Sequence, residues 1–201
     1  MKRVMNNSDN NMTAIITAQQ LANENIVEEL KGFGDCNFNF AVYIANQPNM
    51  FEYQNLTSVN PLVTGEINSI NQACGNGWRK VFNVYAKLLY ALNSSYYTFS
   101  KNAQTWQQYR DHYLLQQHSK TALLFSPPEL SRSDVVHIIC GKTYAKQLLA
   151  SEKIQASLIW LDDEFAIDYA SKLIVCPYFD YRQLSNIKIE KLSELLTQLK
   201  K

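Results

Sequence analysis

FAVYIANQP, residues 40–48, is an unbroken apolar and aromatic run that opens into two amides and stops at a proline. SKLIVCPYFDYRQLSN, residues 171–186, repeats that form: LIVC is apolar, Pro177 ends it, and a polar loop rich in rings follows. Phe, Val, Ile and Tyr favour the pleated backbone, and proline cannot donate to a strand ladder. Each stretch therefore predicts a strand with a loop at its carboxyl end. TALLFSPP at 121–128 and SDVVHIIC at 133–140 have the same character. Strands with near-continuous apolar content belong to parallel sheets covered on both faces.

Helical patterns fill the spaces between these strands. In GWRKVFNVYAKLLYAL, residues 77–92, Trp78, Val81, Phe82, Tyr85, Leu88, Leu89 and Leu92 trace one broad apolar face, with Asn76 placed as the cap. Residues 103–117 predict a second helix, with Trp106, Tyr109, Tyr113 and Leu114 inward. KTYAKQLLAS follows Gly141 as a third, and KIEKLSELLTQLKK is an amphipathic helix at the carboxyl end. Leu21, Ile26, Val27 and Leu30 predict a further helix over residues 17–30, stopped by the glycines of KGFGD. Residues 46–76 are a long polar stretch with isolated apolar anchors, a length that signals function or short helices. ASLIWLDDEFAIDY, residues 156–169, fits either a strand and turn or a hairpin with a charged tip. The alternation predicts an α/β fold of three layers, α/β/α, around a mostly parallel sheet of four or five strands. One domain over residues 14–201 is expected, after a flexible segment at 1–13.

Composition narrows the function classes. The chain is 201 residues long, 46% hydrophobic and 18% charged, with a net charge of +1. That balance sets up no global field to recruit nucleic acid or an acidic membrane. The four cysteines (Cys36, Cys74, Cys140, Cys176) have no metal-binding spacing and predict reduced, mostly buried thiols. MKRVMNNSDNNM has no apolar core of a secretory signal, and no apolar run approaches the ~20 residues of a membrane span. A cytoplasmic protein without membrane contact is expected.

Chemical motifs are sparse. CGKT at 140–143 suggests a phosphate loop, but Val136 stands where the first glycine of such a loop is required. His112, His118 and His137 are scattered and predict satisfied surface or core histidines, and no GxSxG turn presents a serine. Asp162, Asp163 and Glu164 predict a solvated turn. No metal and no cofactor are expected. The loop after Pro177 is richer: Tyr178, Phe179, Tyr181 and Arg182 offer ring faces and a guanidinium that can stack a nucleobase.

The order of these pieces resembles the uracil-DNA glycosylase superfamily. Ala45-Asn46-Gln47-Pro48 takes the place of that family's first motif, Gly-Gln-Asp-Pro or Gly-x-Asn-Pro at the end of strand one. GNGWRKVFNVYAKLL is similar to its aromatic helix start, TALLFSPP to its base-reading strand, and HIICGKTYAKQL to its strand–glycine–helix. Cys176-Pro177-Tyr178 replaces the His-Pro-Ser loop. The resemblance spans residues 40–195 and implies a base-sized pocket at the strand ends, where water is positioned and charge on a departing base is stabilised. On that alignment Gln47 and Cys176 hold the catalytic positions, and Asn46, Pro48, Ser126, Tyr178, Tyr181 and Arg182 are the candidate ligand-binding residues. Gln47 can orient water but cannot act as a base, and a neutral Cys176 thiol is a weak donor. Ser126 lacks the two-point grip of an amide, and Ala45 crowds the approach that a glycine leaves open.

These replacements together predict a glycosylase-like fold without the usual glycosylase chemistry, holding a nucleobase, a nucleotide or a partner at the strand-end crevice. A divergent DNA glycosylase acting on a damaged or deaminated base is the enzymatic alternative. A protein-interaction domain, and a hydrolase using Cys176 as nucleophile, complete the expectations.

Overall fold

The computed structural model describes residues 29–200. In chain order its elements are β1 (Gly32–Gly34), β2 (Phe40–Tyr43), α1 (Phe51–Gln54), β3 (Val59–Asn60), α2 (Glu66–Cys74), α3 (Asn76–Ala91), a 3₁₀ turn (Phe99–Asn102) and α4 (Trp106–His112). Then follow β4 (Thr121–Leu124), β5 (Val136–Cys140), α5 (Lys142–Ala150), β6 (Ile159–Trp160), β7 (Ala166–Asp168), β8 (Leu173–Cys176) and α6 (Asn186–Gln198).

The four apolar runs become the centre of the sheet. β4, β2, β5 and β8 lie side by side and pair in parallel, each buried along its whole length. Their side chains alternate between two covered faces. Phe40, Val42, Ile138 and Ile174 face the helices α2, α3, α4 and α6, while Ala41, Tyr43, Ile139 and Val175 face the other side with Ala145 and Leu148 of α5. Helices pack on both faces of the sheet, and the α/β class expected holds.

The sheet itself is larger and more mixed than the expectation of four or five mostly parallel strands. It has eight strands in the order β3-β1-β4-β2-β5-β8-β7-β6. β1 runs antiparallel to β4, and the β6–β7 hairpin adds antiparallel to β8. β1 comes from GFG, which the sequence suggested as a helix stop. A Cβ on Gly34 would lie 2.2 Å from the Thr121 carbonyl oxygen, and φ there is +134°. Glycine lets β1 press against the β4 backbone, so this strand has no apolar alternation to betray it. Phe33 between the glycines is fully buried, edge-on to Tyr53 at 4.8 Å and Phe125 at 5.2 Å.

Two helix boundaries also differ. Gly75 (φ 77°), not Asn76, is the cap residue of α3. α4 covers only Trp106–His112, because Leu115, His118 and Lys120 take left-handed backbone (φ 60°, 67° and 60°) that cannot continue a helix. Residues 156–169 resolve into the hairpin, its acidic tip tied down by Lys188 on Glu164 (2.6 Å), Lys191 on Asp162 and Lys142 on Asp163 (3.7 Å). The boundary expected near residue 13 and residues 17–28 of the helix expected over 17–30 lie outside the described residues, and Glu29 and Leu30 are not helical. Among the described residues no helix is long and apolar enough to cross a membrane.

The connections decide where a site can form. The chain leaves β2 toward the α2–α4 face and leaves β5 toward the α5 face. Neighbouring parallel strands whose exits diverge leave a crevice between their carboxyl ends.

Candidate functional site

A cleft of about 480 Å³ occupies that crevice. Three strand ends build it: Ala45 and Asn46 after β2, Cys140 and Gly141 closing β5, and Pro177 and Tyr178 after β8. The first turn of α5 forms one wall, and Gly141 makes the turn possible. Its φ is +102°, with its N–H donating to the Cys176 carbonyl at 2.8 Å. That conformation needs a glycine. The helix starts abruptly at the end of β5 and directs its amino end, with Lys142 and Thr143, at the cleft.

The polar groups come from separate elements. Asn46 and half-buried Tyr178 line the cleft together, so the loops of β2 and β8 meet there, and burial raises the Tyr178 pKa while the Asn46 side chain opposes the rise. Gln147 of α5 and Gln183 of the loop after β8 add two more amides. Asp163 and Glu164 approach from the hairpin tip, where Lys142 and Lys188 ion-pair with them. Lys142 also lies over the Trp160 ring at 5.2 Å. The result is an apolar floor with ring, amide and paired-charge groups around its mouth.

Cys140 is the floor residue that sequence reasoning missed. It pairs in register with Cys176 across β5 and β8, and both thiols turn toward the α3 side. Burial, with the Cys176 thiol beside it, pushes the Cys140 pKa up. The signal was present in IICGKT: a third strand ending at a glycine-led helix, level with the ends of β2 and β8.

Of the candidate site residues, the structure brings Asn46 and Tyr178 together in the cleft and leaves the others outside its lining. Gln47 is exposed, and its amide donates to the Gln54 carbonyl at 3.5 Å. Cys176 is fully buried behind Cys140, with its thiol on the Pro177 carbonyl at 3.3 Å. No nucleophile can work from that position. Pro48 is buried, and Ser126 accepts the Lys31 N–H at 3.2 Å beside a different cavity. Tyr181 is 58% exposed with Lys80 over its ring at 5.2 Å. Arg182 grips Asp180 at 2.8 Å, and Lys80 of α3 holds the same carboxylate at 2.8 Å. Those two cations hold the Asp180 carboxyl below the usual carboxylate range. So YFDYR is a loop pinned by a salt-bridged aspartate, with Phe179 as its core anchor against Tyr85 (5.8 Å).

His137 is a satisfied core histidine. Its Nδ1 accepts from the Tyr43 hydroxyl at 2.8 Å and its Nε2 lies 3.4 Å from the Arg132 carbonyl.

A family model spans residues 31–197, from the start of β1 to the last turn of α6. The chain belongs to DUF6942, a family of unknown function. No curated protein and no solved structure matches it. Membership in DUF6942 thus covers the whole described sheet and brings no activity with it, and the chemistry rests on the cleft.

Proposed function

We propose that this DUF6942 protein holds a nucleobase or nucleotide in the strand-end cleft, on a glycosylase-like scaffold without standard glycosylase catalysis. The observation that carries the reading is the Asn46–Tyr178 pair at the switch point between β2 and β5. A ring face beside an amide is what a planar base needs: the ring stacks, and the amide meets the base edge. The four central parallel strands and their carboxyl-end cleft are in keeping with the resemblance to uracil-DNA glycosylases. Gln47 and Cys176, where that family's chemistry would sit, contribute no side chain to the cleft.

Calorimetric titration with free bases, nucleosides and mononucleotides tests the proposal. One class should bind, with Tyr178→Leu and Asn46→Ala each weakening it by about tenfold. Silence across the whole panel would refute it. Duplexes carrying uracil, hypoxanthine or alkylated bases should yield no abasic product, and product formation would favour the divergent-glycosylase alternative.

A protein-interaction reading has its own support. Phe51, Tyr181 and Ile187 are 82%, 58% and 79% exposed on segments leaving the same strand ends. Sedimentation analysis with and without a bound nucleotide would show association through that rim. A monomer in both states, capturing no partner, would count against it.

A further inference from the structure

The opposite end of the sheet carries a smaller cavity of about 200 Å³ with a different chemistry. It lies where the parallel strands begin: Asn39 precedes β2, Lys120 precedes β4, and Lys200 follows α6. Lys120, Lys200 and His118 line it together with the hydroxyls of Thr98 and Ser119 and the amide of Asn102. None of its ten lining residues is acidic.

Neither lysine is ion-paired among the described residues. Lys120 Nζ reaches only the Asn37 carbonyl, at 3.5 Å, and the Lys200 ammonium lies over the Tyr97 ring at 5.4 Å. Asp35, the buried carboxylate beside Lys120 in space, accepts from the backbone N–H groups of Asn37 (3.0 Å) and Lys120 (3.1 Å). Burial and the like charge of Lys172 both disfavour the Lys200 ammonium, the opposite of what a carboxylate partner would do. His118 and Lys120 keep left-handed backbone (φ 67° and 60°), a conformation costing about 1–2 kcal/mol for an ordinary side chain.

We infer that this cavity is an oxyanion site, sized and charged for phosphate or the phosphoryl end of a small phosphomonoester. An oxyanion would accept from the two ammonium groups and from the hydroxyls and amide around them, and charge-assisted hydrogen bonds of this kind are the strong ones. The site is independent of the strand-end cleft.

Thermal denaturation and calorimetry of the full chain, with inorganic phosphate, glycerol phosphate and sodium chloride at matched ionic strength, test it. Both phosphate compounds should raise the melting temperature in a saturable way that chloride does not. The tighter of the two identifies whether free phosphate or a phosphomonoester is the better occupant. Lys120→Gln and Lys200→Gln should each weaken phosphate binding about tenfold. Lys146→Gln, at an exposed position of α5, should leave it unchanged. Phosphate stabilising no more than chloride would overturn the inference, as would both cavity variants responding like the unaltered chain.

Discussion

Lowering the pH should unfold this protein through His137 before its paired carboxylates are reached. The imidazole is fully buried between β2 and the α5 side of the sheet, stacked on Tyr43 with ring centres 5.7 Å apart. Burial depresses its pKa from 6.5 to about 4, with the Arg132 guanidinium acting in the same direction and the Arg132 carbonyl opposing. The Tyr43 hydroxyl donates to Nδ1, so that nitrogen must stay unprotonated for the bond to persist. A depressed histidine pKa means that the unfolded chain takes up the proton first. Stability is therefore full above about pH 6.5 and is lost as pH falls toward 4. At 1.36 kcal/mol per pKa unit, the shift amounts to about 3 kcal/mol in all, of which about 2 kcal/mol is gone by pH 5.

Urea denaturation from pH 7.5 to 4.5 measures this directly. The comparison chain is the double variant His137→Phe, Tyr43→Phe, which removes both partners and leaves neither a titrating group nor an orphaned hydroxyl. Its stability should be nearly flat over the window in which the unaltered chain loses about 2 kcal/mol. The folded-state titration of the His137 ring, followed by NMR, should have its midpoint near 4. Parallel decline of both chains would refute the reasoning, and so would a ring midpoint near the ordinary histidine value.

Two further perturbations bear on the scaffold around the cleft. Gly34→Ala puts a methyl group 2.2 Å from the Thr121 carbonyl oxygen, so β1 must lift from β4 and release Phe33; a loss of about 3 kcal/mol by urea denaturation is expected, and a near-neutral effect would mean β1 does not sit there. Asp180→Ala leaves Lys80, 16% exposed, without its carboxylate. A loss of about 2 kcal/mol is expected above pH 4, shrinking below it because the unfolded chain takes up the proton that the paired carboxylate in the fold resists, and an effect unchanged at pH 3 would sink the pairing argument.

The central strands were legible because each is a short apolar run with a proline or glycine at its end, and burial on both faces leaves that mark in sequence. Phe40–Tyr43 and Leu173–Cys176 were recognisable for this reason. The strands outside that centre leave no such mark. β3 and β6 have two residues each, and β1 is held by backbone approach at its glycines rather than by apolar side chains. The site was half legible. Asn46 and Tyr178 follow from strand ends alone, whereas Gln47 and Cys176 were placed by motif position. Motif position says nothing of which way a side chain turns: Cys176 follows the alternation of β8 into the core, and Gln47 lies past the strand where no ladder orients it.

The contents of the cleft weigh toward binding over reaction. A catalytic acid or base must touch the reacting atom and exchange its proton near the working pH. Here the candidates are otherwise engaged. Glu164 is paired with Lys188, Asp163 projects fully into solvent, and burial raises both the Cys140 thiol and the Tyr178 hydroxyl away from neutrality. What converges instead are neutral amides from three segments, Asn46, Gln147 and Gln183, around one half-buried ring. Amides donate and accept without changing charge, so such a set discriminates among ligand edges at any moderate pH. A nucleobase bound there should keep its affinity between pH 6.5 and 8.5, because no lining group has to gain or lose a proton to hold it. A steep pH dependence of binding over that range would place a titrating group in contact with the ligand and return the cleft to the enzymatic alternative.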